Sequence, residues 1–416
     1  MTSENRVLRY PAVRYARAGR FEPPTLLPLG DETPDGAPGA VCPQVLSRLA
    51  PLIGDVVEGI EQSEDCLHLA ISTPGSDGSR PVMVFLHGGA FVTGGGTSPA
   101  YDGSRLAADE DVVVVSANYR LGVFGFLYAP GISPGNLGLL DQAAALQWVR
   151  DNIAAFGGDP DRITVFGQSA GGLSALALTA LPETRPVISR LIVQSSPAIS
   201  TLRPMDEAGE LGEFVVSQLS RHPLDAEVDE LLAAQVAAFR WSMERDPAPS
   251  ALPFRPTQGA PLSTTPAEDH RIRRSHPMPD LMIGYTTDEC VAFAPDIHAA
   301  DVLDTTREAS REFAIEPARE QAREHTAAQG NAYLYHFAWA PPRAFGAVHC
   351  LELPFLLGTE QAWRSAPMLG GTPWQEVEVL GRELRRLWGA FARTGAPSRT
   401  WPRWTPERQH EQILGH

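Results

Sequence analysis

Six short runs of almost uninterrupted apolar residues recur along the chain, and longer stretches separate them. The runs cover residues 81–89, 111–119, 162–168, 189–196, 279–285 and 331–339. Runs this rich in Val, Ile, Leu and Phe are typical of strands buried on both faces. Residues 136–156 and 169–181, which lie between such runs, have the composition and spacing of helices. Strands that alternate with helices predict an α/β fold with a mostly parallel sheet and helices on both faces.

Segment 301–329 has a different pattern, because charged residues dominate it. Arg and Glu are spaced so that they can pair along a helix. A solvated helix face explains this pattern better than a binding site does. The 416 residues contain no internal repeat. Since α/β folds often reach this size as one unit, we expect a single domain over residues 1–416.

The charge balance narrows the classes of partner. The chain has 50 acidic and 34 basic residues, all of the latter arginines, and a net charge of −16. A nucleic-acid or anionic-membrane surface needs clustered basic residues, so neither partner is expected. No apolar run is long enough to span a membrane, and the first residues lack the apolar core of a secretory signal. We therefore expect a cytoplasmic protein. Four cysteines without a CxxC motif also argue against a disulfide scaffold or a zinc site, and no metal is expected.

The first candidate for chemistry is the stretch VFGQSAGGLSA at residues 165–175. Here Ser169 lies between Gly167 and Gly171, where a predicted strand turns directly into a predicted helix. Such a corner strains the backbone of the serine and leaves no room for side chains at the flanking positions. It exposes a hydroxyl near the positive end of a helix. Gly-x-Ser-x-Gly also occurs by chance, but the strand before it and the helix after it favour a nucleophile.

A serine nucleophile needs a base, an acid and backbone donors for an oxyanion. The glycine-rich stretch FLHGGAFVTGG at residues 85–95 follows a strand and is suited to supply the donors. A phosphate-binding loop is the alternative for such a stretch. No Gly-Lys-Ser/Thr follows it, however, which argues against that alternative.

These and further motifs together resemble the type-B carboxylesterases, a family that includes para-nitrobenzyl esterases, cocaine esterases, cholinesterases and some lipases. The resemblance extends from about residue 8 to residue 405 and is carried by SEDCLHLAI, HGGAF, NYRLGVFGFL, GNLGLLDQAAALQWVRDNIAAFGGDPDRITVFGQSAGG, PDLMIGYTTDE, HCLELPF and WGAFARTGAP. It implies an α/β-hydrolase fold. It also implies a serine hydrolase that cleaves small-molecule carboxylic esters without a cofactor.

The resemblance assigns a catalytic triad in the order of that fold. Ser169 matches the nucleophile, Glu289 in GYTTDEC matches the acid and His349 in VHCLELPF matches the base. His87 opens the HGG loop, and we expect it to shape the turn there.

The resemblance also assigns the oxyanion donors. They are the backbone amides of Gly89, Ala90 and Ala170. Because only the backbone N–H is needed, an alanine at position 90 is no obstacle.

Other matches are structural. The resemblance pairs Arg20 with Glu64 and Arg120 with Asp141. It also matches Cys42 and Cys66 to a family disulfide, which a reducing cytosol would disfavour.

The chain departs from the family pattern at three positions near the triad. Gln168 stands before the nucleophile, where family members usually have Glu. Cys290 follows the triad acid, where Gly is usual, and Cys350 follows the triad base. Since the acid and the base must meet, we expect these two cysteines to be close neighbours, either bonded or packed as thiols. Two independent buried hydrophobic residues are the alternative.

Length separates the chain from its family as well. Glu289 and His349 are 60 positions apart (349 minus 289), fewer than is usual, which predicts a reduced helical cap near the active site. Substrate preference and oligomeric state stay open. The alternatives to an esterase are a catalytically inactive binding protein on the same fold and a true lipase.

Overall fold

The computed structural model describes residues 7–30, 36–198, 202–245, 252–263, 265, 268, 271–272, 275–341 and 345–415. The two ends of the predicted 1–416 domain, residues 1–6 and 416, lie outside this range.

Nine strands of the described chain form one sheet. They are β1 (Leu8–Arg14), β2 (His68–Thr73), β3 (Arg80–Leu86), β4 (Val113–Ala117), β5 (Gly158–Gln168), β6 (Arg190–Gln194), β7 (Asp280–Thr286), β8 (Ala332–Phe337) and β9 (Glu411–Leu414). Their order across the sheet is β1-β2-β4-β3-β5-β6-β7-β8-β9. Only β2 runs opposite to the rest, since it pairs antiparallel with both β1 and β4. The predicted mostly parallel sheet is confirmed, and the six predicted strands are β3 to β8.

Short strands form two further pairs outside this sheet. Ala16–Arg17 pairs with Thr25–Leu26, and Tyr128–Ala129 pairs with Ser133–Pro134.

Among the described residues, seven helices have seven residues or more. They are α1 (Ser104–Glu110), α2 (Leu137–Asn152), α3 (Ala170–Leu178), α4 (Met205–Ser217), α5 (Val228–Arg245), α6 (Glu316–Ala327) and α7 (Trp374–Thr394). Shorter helical turns are Ala50–Ile53, Pro99–Tyr101, Gly122–Phe126, Ile153–Phe156, Glu289–Phe293, Val302–Thr305, Arg307–Ser310, Arg311–Ile315, Leu353–Leu356, Glu360–Trp363 and Pro367–Leu369. Within the described ranges, no helix is long and apolar enough to cross a membrane.

The sheet separates two hydrophobic clusters, because successive side chains of a strand point to opposite faces. In β3, Val82, Val84 and Leu86 belong to one cluster, whereas Met83 and Phe85 belong to the other. Helices α2 to α6 pack in the first cluster, and α1 and α7 pack in the second. Helices therefore cover both faces, as predicted.

The carboxyl ends of three parallel strands, β3, β5 and β7, lie at one edge of the sheet. The HGG loop follows β3, Ser169 follows β5, and Glu289 lies three residues beyond β7. In open α/β sheets, ligand sites form at this edge because the connecting loops diverge there.

The charged segment 301–329 is helical, as predicted, but one of its faces is buried. Ion pairs such as Arg307–Asp304 and Arg311–Glu308 lie on its exposed face. Phe313 and Ala322 are buried on the opposite face. The interpretation as a solvated helix face is therefore correct only for the side with the ion pairs.

Candidate active site

Ser169 occupies a strained corner between β5 and α3. Its φ of 56° and ψ of −119° lie outside the common regions for a residue with a side chain. A Cβ atom at Gly167 would lie 2.3 Å from the oxygen of Gly171, and one at Gly171 would lie 1.9 Å from the oxygen of Leu86. Any side chain at either flanking position would collide with the backbone, so both positions require glycine, as the sequence predicted.

Glu289 and His349 form a buried pair. Nδ1 of His349 lies 2.5 Å from Oε2 of Glu289, and both side chains are fully buried. The other oxygen of Glu289 accepts a hydrogen bond of 2.8 Å from the backbone N–H of Thr286. The carboxylate is thus held from two sides, and the structure brings the predicted acid and base together.

Asp288 joins the loop of the acid to the loop of the base. Its backbone N–H donates to the oxygen of Ala347 at 2.8 Å, and its Oδ2 accepts from the N–H of Ala347, also at 2.8 Å. Burial raises the pKa of Asp288. Its carboxyl group therefore positions the backbone two residues before His349, while Glu289 contacts the imidazole.

The second nitrogen of His349 faces Gln168. The two Nε2 atoms lie 3.1 Å apart. Because an amide nitrogen can only donate, Nε2 of His349 accepts and carries no proton, which places the imidazole proton on Nδ1 toward Glu289. Ser169 lies in the described chain and lines the same cavity, but its hydroxyl makes no hydrogen bond to the imidazole. The amide of Gln168 occupies the hydrogen-bonding position at Nε2 of His349 instead.

Two opposing influences set the pKa of His349. Burial lowers it, interactions with Cys350 and Glu289 raise it, and the net direction is upward. Burial raises the pKa of the Cys350 thiol, so this thiol is uncharged at neutral pH. The carboxylate of Glu289 is therefore the group that holds the pKa of His349 above its usual value.

Three backbone amides are free near the serine. Those of Gly89, Ala90 and Ala170 donate to no protein acceptor in the described part of the chain. Gly89 and Ala90 line the cavity with Ser169, and Ala170 begins α3. Gly89 has a φ of 112°, and a Cβ there would lie 2.0 Å from the oxygen of Thr93.

His87 lies behind this loop and is structural. Its ring stacks on Tyr119 at 4.4 Å, and Nδ1 lies 2.7 Å from the oxygen of Gly88. Burial lowers the pKa of His87 to about 4, so it stays neutral. These contacts agree with the predicted role in shaping the turn.

The cavity at Ser169 has a volume of about 260 Å³ and mainly apolar walls. Residues 45–49 form one side, and α5 forms another through Val236 and Phe239. Phe293 and Phe313 lie beside the imidazole, with ring centroids 5.3 and 5.4 Å from it. Sequence analysis did not identify these walls, because all of them except Phe293 come from segments distant from the catalytic motifs.

The two predicted ion pairs are present. Nη2 of Arg120 lies 2.7 Å from Asp141, and both side chains are buried. Nε of Arg20 lies 2.9 Å from Glu64 at a partly buried position.

Neither suggested disulfide is formed, since all four cysteines are free and buried. The thiol of Cys66 contacts that of Cys42, and this hydrogen bond together with burial raises the pKa of Cys66. Cys290 packs in the first hydrophobic cluster, and Cys350 packs in the second. The expectation that Cys290 and Cys350 pack together finds no support here. Although these cysteines directly follow the predicted acid and base, their side chains pack into different clusters.

Within the described residues, no three His, Cys, Asp or Glu side chains are grouped so as to hold a metal ion.

Comparisons with known proteins agree with this geometry. A model of the carboxylesterase family matches residues 1–315 and 303–415. A probable N-octanoylanthranilate hydrolase of Rhodococcus erythropolis is 37% identical over 97% of this chain and 92% of its own. The para-nitrobenzyl esterase of Bacillus subtilis is 34% identical over 99% of this chain and 92% of its own.

Solved structures give the same result. A para-nitrobenzyl esterase structure superposes with a TM-score of 0.86 at 31% identity and covers 99% of this chain and 93% of that one. A thermophilic para-nitrobenzyl esterase gives a TM-score of 0.84 at 32% identity, with the same coverage. The chain therefore belongs to the carboxylesterase family and is a carboxylic ester hydrolase with the α/β-hydrolase fold.

Proposed function

We propose that Ser169, His349 and Glu289 are the catalytic triad of this esterase. The observation that carries the proposal is the buried pair of His349 and Glu289 beside the serine corner. In that pair, the imidazole has its proton on Nδ1 and its lone pair on Nε2, where it accepts from Gln168, and this is the tautomer that a general base needs.

In the first half of the reaction, Oγ of Ser169 attacks the ester carbonyl carbon and its proton moves to Nε2 of His349. Nε2 must first exchange the amide of Gln168 for the hydroxyl of Ser169. Glu289 stabilises the resulting imidazolium. The amides of Gly89, Ala90 and Ala170 stabilise the oxyanion.

In the second half, the tetrahedral intermediate breaks its bond to the alcohol oxygen, which takes the proton from Nε2. An acyl group stays on Ser169. Water then attacks this acyl-enzyme, with His349 as its base. The second tetrahedral intermediate breaks its bond to Oγ of Ser169, which takes the proton from Nε2, and the acid product leaves. The chain's own residues supply every proton transfer in this cycle.

The test is Ser169→Ala, with para-nitrophenyl esters of graded acyl length as substrates. We expect kcat to fall by about four to six orders of magnitude, because the nucleophile is lost. Ser174→Ala is the matched control, since Ser174 is a buried serine of α3 whose hydroxyl has no partner in the described chain. A Ser169→Ala enzyme with a tenth of the wild-type activity would rule out the mechanism.

The same screen addresses the other candidates. A catalytically inactive binding protein would hydrolyse no ester, although all three triad residues are present. A true lipase would gain activity above the critical micelle concentration of its substrate. Since one relative is named for an N-octanoylanthranilate, we include amides with medium-length acyl groups among the proposed substrates.

We also propose that residues 1–416 act as one domain, because strands from both ends of the chain share the sheet. A cytoplasmic location is the corresponding proposal for the compartment. The four free buried thiols support it, since thiols persist in reducing compartments. Cell fractionation tests the location.

A further inference from the structure

Two arginines lie at the mouth of the active-site cavity. Arg48 belongs to the segment 45–49 on one side, and Arg240 belongs to α5 on the other. Both side chains are exposed. The guanidinium of Arg48 lies over the ring of Phe239, with its carbon 4.9 Å from the ring centroid. This contact fixes a cation above the apolar wall.

Neither arginine has an acidic partner in the described part of the chain. Among the described residues, no carboxylate oxygen lies within 4.0 Å of either guanidinium, and this includes Glu244, one helical turn beyond Arg240. Partial burial lowers the pKa of Arg48, and no neighbouring carboxylate raises it. Among the described residues that line the cavity, the ionisable groups are Arg48, Arg240 and His349, and none of them is an acid.

Their position at the cavity sets these two cations apart in an otherwise acidic molecule. The chain carries a net charge of −16. Many arginines elsewhere are paired with acids, as Arg120 is with Asp141 and Arg385 is with Asp109. Unpaired cations at an opening with low-dielectric walls attract anions against an acidic background.

We propose that Arg48 and Arg240 bind a carboxylate of the substrate at the cavity mouth. The preferred substrates are then esters with an apolar skeleton and one free carboxylate. The planar guanidinium offers paired N–H donors that match the two oxygens of a carboxylate. The apolar walls take up the carbon skeleton, and Ser169 meets the ester at the other end. This inference rests on the proposed function of Ser169.

Two pairs of matched substrates test the inference. The first compares para-nitrophenyl octanoate with the mono-para-nitrophenyl ester of octanedioic acid, which has the same number of acyl carbons and a terminal carboxylate. The second compares the octanoate ester of methyl para-hydroxybenzoate with that of para-hydroxybenzoate, which places the carboxylate on the alcohol side. The measured quantity is the ratio of kcat/KM for the anionic ester to kcat/KM for the neutral ester.

In the double variant Arg48→Gln/Arg240→Gln, we expect this ratio to fall by about ten- to a hundred-fold for at least one pair, because charged hydrogen bonds are lost. The pair that responds shows which side of the ester carries the carboxylate. Arg48→Lys/Arg240→Lys should restore part of the ratio, since it keeps the charge but loses the fork. Added salt should lower the wild-type ratio. Arg399→Gln, an exposed arginine away from the cavity, is the control and should leave the ratio unchanged.

A ratio within twofold of wild type in the double variant, for both pairs, overturns the inference and leaves the esterase intact. If Ser169→Ala still hydrolyses these esters, the proposed function fails instead. The two failures are therefore distinguishable.

Discussion

At the scale of single residues, the imidazole of His349 makes two contacts that can be changed separately. Glu289 contacts Nδ1, where it favours the protonated ring. Gln168 contacts Nε2, where its amide donates to the unprotonated ring. One contact favours the charged form and the other favours the neutral form.

Replacement of the acid tests the first contact. In Glu289→Gln we expect kcat/KM to fall by about four orders of magnitude, because the imidazolium loses its counter-charge. The acid limb of the pH profile should also move to lower pH, since the carboxylate that raises the pKa of His349 is gone. Profiles of kcat/KM against pH measure both effects.

Asp288→Asn is the control for that variant, because an amide oxygen can still accept from the N–H of Ala347. If Asp288→Asn abolishes activity while Glu289→Gln does not, Asp288 is the acid.

A carboxylate in place of Gln168 tests the second contact. In Gln168→Glu we expect the acid limb to move to higher pH by about one unit or more, because a negative charge beside Nε2 favours the imidazolium. Gln168→Met removes the hydrogen bond without adding a charge and is the matched control. The same acid limb in the Glu and Met variants would contradict this prediction.

At the scale of elements, the turn from β5 to α3 depends on a close approach to the end of β3. In Gly171→Ala the new Cβ would lie 1.9 Å from the oxygen of Leu86, so either the strand or the helix must move. We expect a loss of about 3 kcal/mol or more in the free energy of unfolding. Urea unfolding midpoints measure this loss.

A glycine of α4 provides the comparison for that variant. At Gly209 the nearest heavy atom to a new Cβ is 4.0 Å away, in the ring of Tyr128. We expect Gly209→Ala to stabilise by about 0.5–1 kcal/mol, because alanine restricts the unfolded chain. If both substitutions changed the free energy of unfolding equally, the close contact with β3 would not explain why position 171 needs glycine.

At the scale of the whole molecule, one buried carboxyl group makes folding depend on pH. Glu352 lies in the interior behind the triad, and Oε1 accepts from Gln194 at 3.0 Å. Its Oε2 has no partner among the described residues. Burial, together with the charge of Glu289, raises the pKa of Glu352 from 4.5 to about 7.

The folded chain therefore holds a proton on Glu352 between pH 4.5 and about 7, whereas the unfolded chain releases it. The free energy of unfolding therefore falls as the pH rises through this window, because the buried carboxyl group must ionise. Below the window, Glu352 is protonated in both states and causes no such loss. Glu352→Gln carries no such charge. We expect the Tm of the variant, relative to wild type, to rise between pH 4.5 and 7 and to level off above 7. A difference in Tm that is independent of pH would contradict this assignment.

The sequence determined the features that depend on neighbouring residues. The six central strands follow from short apolar runs. The corner at Ser169 follows from two glycines that no other residue can replace, and the family motifs identified Glu289 and His349. Each of these signals lies within a few residues of the chain, where local backbone geometry and composition decide the outcome.

Only the tertiary structure decided which distant side chains meet. It placed the amide of Gln168 against His349, brought the segment with Arg48 opposite α5, and directed Cys290 and Cys350 into different clusters. These outcomes depend on how helices and loops pack across the sheet, over separations that reach 191 positions between Arg48 and Phe239 (239 minus 48). Local sequence patterns do not predict these contacts, because they form only when the whole core packs together.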